Sequence, residues 1–316
     1  MKHHPLAGFA LALAAALMWG AQFPIAKSAF VAVDAFQSTA LRYIVPAAIL
    51  AVLLAWREGV PALRYQGRGR AAWLVGLIGM TGSPMLVFGG LMLTRPEVAA
   101  IIVATQPSMT ALAEWGVRGR RPSRFTLCCV ILAFAGVVTV VTRWSATSAP
   151  SGSALAGDLM VLAGAACWVA YTMSTERFRG WSTLRLTTLT MIPGAVGGTL
   201  IAATGVGLGL LTLTPLQQWL SVGWQLGYLA LIGVLVGMIC WNAGTQRIGA
   251  LNAMLFLNLI PVVTFLIRFV QGHRFEPTEL VGAAMVISAL IANNLHLRRV
   301  ASDRFRELAP ALPPTG

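Results

Sequence analysis

Charge is what this sequence has least of. Only 10% of its 316 residues are Asp, Glu, Lys or Arg, against roughly 25% in a water-soluble domain, so most of its surface must face something other than water. That excludes an ordinary soluble enzyme. Lysine is nearly absent, with Lys2 and Lys27 alone. The histidines His3, His4, His273 and His296 lie at the termini and in one loop, and the cysteines Cys128, Cys129, Cys167 and Cys240 sit inside apolar runs without CxxC spacing. Metal sites and His-activated nucleophiles need such groups to converge, so no metal, no cofactor and no catalytic residue is expected within the membrane. Neither GxxxxGK[ST] nor GxSxG occurs. The first absence argues against direct ATP drive, the second against a membrane-embedded protease or acyltransferase.

What the chain has is apolar length: 57% of its residues are hydrophobic and the mean hydropathy is +0.75. A transmembrane helix needs about 20 mostly apolar residues. Ten such runs occur, at 6–28, 35–56, 71–93, 96–117, 124–142, 155–175, 183–205, 224–246, 250–270 and 277–297. They predict an all-α polytopic membrane protein with ten transmembrane helices. The first run follows Lys2-His3-His4-Pro5 but no small-residue cleavage site closes it, so it is expected to stay attached.

The net charge of +13 would suggest a nucleic-acid partner in a soluble protein. Here the arginines cluster between apolar runs, which reads instead as a bias that orients the chain and implies no nucleic-acid partner. With the N-terminus cytoplasmic, one side receives Lys2, then Arg57, Arg64, Arg68 and Arg70, then Arg118, Arg120, Arg121 and Arg124, then Arg177, Arg179 and Arg185, then Arg247, and finally Arg298, Arg299, Arg304 and Arg306. The other side holds Arg95, Arg143, Arg268 and Arg274. Both termini are therefore expected in the cytoplasm, in a bacterial inner membrane.

A small polar stretch at 144–154 divides the chain into 1–143 and 155–298, five runs each, ahead of a tail at 299–316 expected to be disordered. The halves align weakly but in order. Gly8 matches Gly157 and Trp19 matches Trp168; after a small shift, Gly79 matches Gly233, Ser83 matches Gly237, Gly90 matches Gly244 and Pro107 matches Pro261. An odd number of spans per half gives the second copy the opposite orientation, so the repeat is inverted, the pattern that underlies alternating access.

Charges and amides at membrane depth are candidate functional groups, because each is costly there unless partnered. Lys27 and Arg42 read as anchors for an anionic group or as gate residues. Glu114, Glu176 and Arg268 fall nearer helix ends, where gating pairs and simple snorkelling are both open readings. Gln22, Ser83, Gln106, Asn242 and Asn258 are expected to face a cavity or a neighbouring helix. Trp19, Tyr43, Trp168, Tyr171 and Trp241 are expected to wall an apolar pocket or to pack helices. Met18, Met80, Met85 and Met238 suit an adaptable lining or simple filling. Pro84, Pro107 and Pro261 are expected helix breaks, freeing carbonyls beside Gln106 and Asn258.

The stretch Met18-Trp19-Gly20-Ala21-Gln22-Phe23-Pro24-Ile25-Ala26-Lys27 resembles the opening Trp-Gly signature of the EamA type of the drug/metabolite transporter superfamily. Arg42, Pro107, Gly157-Asp158 and Pro261 are similar to that family too, over nearly the whole chain. Gly119-Arg120 and Gly272-His273 stand where many members have Gly-Glu. The resemblance implies a ten-helix exporter or exchanger of small metabolites, with the fifth and tenth helices peripheral. The abundance of tryptophan is most similar to bacterial exporters of aromatic and other neutral amino acids. Amino acids and the lipid bilayer are the expected partners. Nucleotide sugars, drugs or cations are the alternative cargoes, a membrane-embedded enzyme the alternative class, and a homodimer is left open.

Overall fold

In the computed structural model, which describes residues 5–119, 121–142, 152–248, 253 and 256–308, the described residues form helices and connecting turns, with no strand among them. Lys2, Arg120, Arg143 and most of the 144–154 linker fall outside these residues. The long helical stretches are Pro5–Ala29 (α1), Ala35–Glu58 (α2), Gly69–Leu93 (α3), Pro96–Arg118 (α4), Arg124–Thr142 (α5), Gly152–Ser174 (α6), Thr183–Gly207 (α7), Gly223–Ile248 (α8), Leu259–Val270 (α9) and Pro277–Leu308 (α10). Seven of the described helices are long and apolar enough to cross a membrane. Helix is what such a medium dictates, since it pairs every backbone amide and carbonyl within its own segment. Large apolar side chains such as Val52, Leu74, Ile131, Leu159, Leu200 and Leu266 stand exposed, as a lipid-facing surface requires.

The ends and interruptions are set by particular residues. Asp34 caps α2, its carboxylate accepting from the amides of Phe36 and Gln37 at 2.8 and 3.0 Å. The Ser182 hydroxyl does the same for α7 through the amide of Arg185. Inside α4 the helix is interrupted at Thr105, just before Pro107, and α9 follows a break at Asn258, just before Pro261. Within α3 and α8 the ladder widens to π-helix, over Leu77–Gly82 and Tyr228–Val236 respectively. These two stretches hold Gly79 and Gly233, the residues that the two halves of the sequence align.

The tail differs from expectation. α10 continues as helix through Leu308, past the 299 boundary at which disorder is expected. No Gly or Pro interrupts the chain between Ala283 and Ala309, so nothing stops the helix until the neighbourhood of Pro310. Residues 309–316 lie outside the described residues.

Packing exchanges partners between the halves. α1 lies along α8 and α3 along α6; α2 pairs with α7 and α5 with α10. The closest approaches are at glycines. A Cβ on Gly157 would stand 2.7 Å from the carbonyl oxygen of Gly90, and one on Gly244 3.1 Å from that of Gly8. Backbone this close tolerates no side chain. Gly157→Val should therefore lower the melting temperature of the detergent-solubilised protein, at an overpacking cost of about 1–3 kcal/mol. Gly227→Ala, where an added Cβ meets nothing within 4 Å, should leave it nearly unchanged.

Candidate functional site

A cavity of about 80 Å³ lies among α1, α2, α3, α4, α6, α8 and α9. Its wall consists of Trp19, Gln22 and Phe23 from α1, Arg42 and Tyr43 from α2, and Ser83, Pro84, Val87 and Phe88 from α3. Val103 and Gln106 of α4, Trp168 of α6, Gly233, Val234 and Met238 of α8 and Ile260 of α9 complete it. Trp19, Gln22, Arg42, Tyr43, Ser83, Pro84, Gln106 and Trp168, all singled out in the sequence, are thus brought together. At ~15 Å³ per water the space holds only a few waters, so a bulky solute enters only when side chains move.

The two π stretches shape this wall. The Gly233 carbonyl, released into the cavity side of α8, accepts the indole N–H of Trp19 at 2.9 Å. That bond fixes Trp19 between Trp168, edge-on at 5.8 Å, and Trp241 at 5.2 Å. Trp168 continues the row to Tyr171 at 5.2 Å. Trp241 and Tyr171 stand behind the lining, fully buried. The ring of Tyr171 packs where Gly79 leaves room in the π stretch of α3, and its hydroxyl meets Thr190. The aromatic row is therefore part wall and part support.

Arg42 is the one charged side chain in the lining. Its guanidinium lies 3.8 Å from the centre of the Phe88 ring and 5.5 Å from that of Tyr43, and the residue is 4% exposed. Nε and Nη1 are both buried without a hydrogen-bond partner. Phe88, Phe23 and the π carbonyl of Gly233 are wall groups the sequence reading missed. Phe88 sits one turn beyond Pro84, and that helical spacing was the available signal.

Other candidates serve elsewhere. Lys27 donates to the carbonyls of Leu91, Met92 and Thr94 at 2.7, 2.8 and 2.8 Å, capping the C-terminal end of α3. Asn242 donates to the Thr187 hydroxyl at 2.6 Å, tying α8 to α7. Asn258 is buried at the break before α9, with neither amide atom hydrogen-bonded, and the structure does not place it on the cavity wall. Pro107 and Pro261 are likewise buried beside the lining and not in it. Of the methionines, only Met238 lines the cavity; Met80 lies against Gly194 and Met85 packs with Ala40 and Ala202. Glu176 borders a second cavity of about 710 Å³ between the C-terminal half of α4 and the end of α6, together with Met109, Val117, Met173, Arg177 and Arg179. Glu114, half-buried on that same half of α4, is not in its wall.

At the opposite end of α4 the helix links are clamped by ions. Arg268 of α9 binds Glu97 of α4 at 2.6 Å, and Arg95 pairs with Glu279 of α10. His273 stands 3.9 Å from both carboxylates. Both glutamates occupy first turns of helices, where acids are ordinary, and this masks their pairing in the sequence. Glu97 is 1% exposed and Arg268 28%, so the two partners are not equivalent. Arg268→Gln strands a buried carboxylate and should destabilise more than Glu97→Gln, for which about 1.5–3 kcal/mol is expected from the lost charged hydrogen bond. Thermal melting of the two variants in detergent checks the order, and equal losses would contradict it.

Three comparisons with known proteins bear on this architecture. The sequence profile described as the EamA-like transporter family matches residues 6–142 and again 155–295. The chain is 30% identical over 291 residues to an uncharacterized transporter of Bacillus subtilis (strain 168), YrdR, covering 91% of each chain. It is 29% identical to a second from that strain, YyaM, over 92% of this chain and 94% of that one. A solved crystal structure superposes with a TM-score of 0.66 over 93% of this chain and 98% of the other, at 20% identity, a likeness of fold alone. With seven apolar spans and family matches that together cover most of its length, this chain belongs to the EamA-like transporter family, in the drug/metabolite transporter superfamily.

Proposed function

We propose that this transporter exports small zwitterionic metabolites, aromatic and other neutral amino acids foremost, by alternating access around the cavity lined by Trp19, Arg42 and Trp168. The observation that carries the reading is the pairing, in one cavity, of a guanidinium that no carboxylate of the lining faces with an aromatic wall. A carboxylate meets the first and an apolar side chain the second. Gln22, Gln106 and Ser83 are polar lining groups available to the ammonium.

Alternating access rests on the exchange between halves. The partner-swapped helix pairs, the π stretches at aligned positions and the two family matches support an inverted five-plus-five repeat of ten spans. The arginine clusters support cytoplasmic termini in a bacterial inner membrane. By that orientation the ion clamp at Glu97 and Glu279 faces outward, and the larger cavity beside Glu176 opens toward the cytoplasm. The small central cavity then belongs to a form closed to the outside. A carrier of lipophilic cations would need a carboxylate in the lining, which holds none, and a nucleotide sugar would need more than one cation.

Purified protein in proteoliposomes, offered labelled amino acids, nucleotide sugars and lipophilic cations with and without a proton gradient, tests the reading. Saturable flux of aromatic or branched neutral amino acids is expected. Trp19→Ala should cut it about ten-fold, the equivalent of ~1.4 kcal/mol of lost aromatic contact. Flux of nucleotide sugars or cations alone would contradict the proposal.

A further inference from the structure

We infer that the cavity recognises its solute by the carboxylate and not by the ammonium, so that aromatic carboxylates lacking an amino group bind at least as well as the matching amino acids. The inference rests on the preceding reading that this cavity is the substrate site, and it narrows the substrate class.

The argument begins with a charge that cannot be switched off. Arginine stays protonated in proteins, and a buried guanidinium without a counter-charge is strongly unfavourable. Arg42 is in that condition: 4% exposed, with Nε and Nη1 buried and unbonded. The Phe88 face at 3.8 Å offsets part of this through its quadrupole, but it offers the guanidinium N–H groups no acceptor oxygen.

No protein carboxylate answers it. The lining contains neither Asp nor Glu. On the helices that form it, Asp34 is occupied as the cap of α2, Glu58 accepts from Ser182, Asp158 accepts from Thr94, Glu97 is held by Arg268, and Glu114 lies outside the wall. The cavity therefore carries one uncompensated positive charge. A carboxylate completes this site, since an Arg–carboxylate pair is charge-assisted and directional. An ammonium finds only neutral oxygens on Gln22, Gln106 and Ser83, and it is repelled by Arg42. Removing the ammonium thus removes a desolvation cost and a repulsion together, whereas removing the carboxylate leaves Arg42 as it is found here.

A matched series isolates the charges: 3-phenylpropanoate, phenylalanine and 2-phenylethylamine share one ring and differ only in ionic groups. For each, the concentration that gives a half-maximal rise in melting temperature is measured on the full-length protein in detergent. The carboxylate is expected to act at a concentration no higher than phenylalanine, and the amine to need at least about ten-fold more. Arg42→Gln should weaken both carboxylate-bearing ligands about ten-fold or more and leave the amine unweakened. Arg42→Lys, which keeps the charge, should retain part of the preference and guards against a glutamine variant that fails to fold. An amine that acts as well as the carboxylate, or a folded Arg42→Gln variant that keeps the carboxylate preference, overturns the inference while leaving amino-acid export standing. Arg42-dependent binding of phenylpropanoate alongside absent amino-acid flux would sink the export reading and keep the inference. Binding of none of the three would sink both.

Discussion

An apolar surrounding leaves no polar group unattended without a cost of several kcal/mol, and this constraint organises the molecule. It makes the chain helical, and it also decides where helices are interrupted. Where α3 runs out, the last carbonyls are met by Lys27 from α1. Where α8 widens to π-helix, the Gly233 carbonyl is met by Trp19. Threonines at 187, 188 and 190 return their hydroxyls to the carbonyls of their own helix. Among the described residues some buried side-chain polar atoms still lack a hydrogen-bond partner, those of Thr39, Arg42, Gln225, Asn258 and Asn293 among them, and of these residues Arg42 is the one on the wall of the central cavity.

Close packing makes the cavity possible. Gly90 against Gly157 and Gly8 against Gly244 bring α3 to α6 and α1 to α8 with backbone almost in contact. Each pair joins one half of the chain to the other. The π stretches lie beside these seams, and Ser83 just after the first and Gly233 and Val234 within the second line the cavity. In the proposed alternating access, the halves shift along these seams as stiff units.

Much of this was legible in the sequence, and the reasons are specific. Apolar run length located the helices because lipid imposes a fixed span. The Trp-Gly stretch pointed to the family that the profile matches. Seven residues of the wall stood out in the sequence because a polar or aromatic group at mid-span must have a partner. Asn242 carried the same sign and yet serves packing, since an amide that ties two helices and one that meets a solute look alike in sequence. Glu97 and Glu279 were hidden for the opposite reason: an acid in a first turn has a local explanation, while its true partner is 171 or 184 residues away. The helix of α10 outran its expected end because Pro310, Pro313 and Pro314 suggested a disordered tail, while no residue before Pro310 breaks the ladder.

The central claim is that solute sits between Trp19, Arg42 and Trp168. Its most direct measurement uses a cysteine at Ser83, on the wall, in a protein whose native cysteines have been replaced, with a second cysteine at outward-facing Val52 as the reference. A saturating concentration of a solute that the protein transports should slow thiol labelling at position 83 and leave labelling at position 52 unchanged. Equal labelling at position 83 with and without that solute would place the transport path elsewhere.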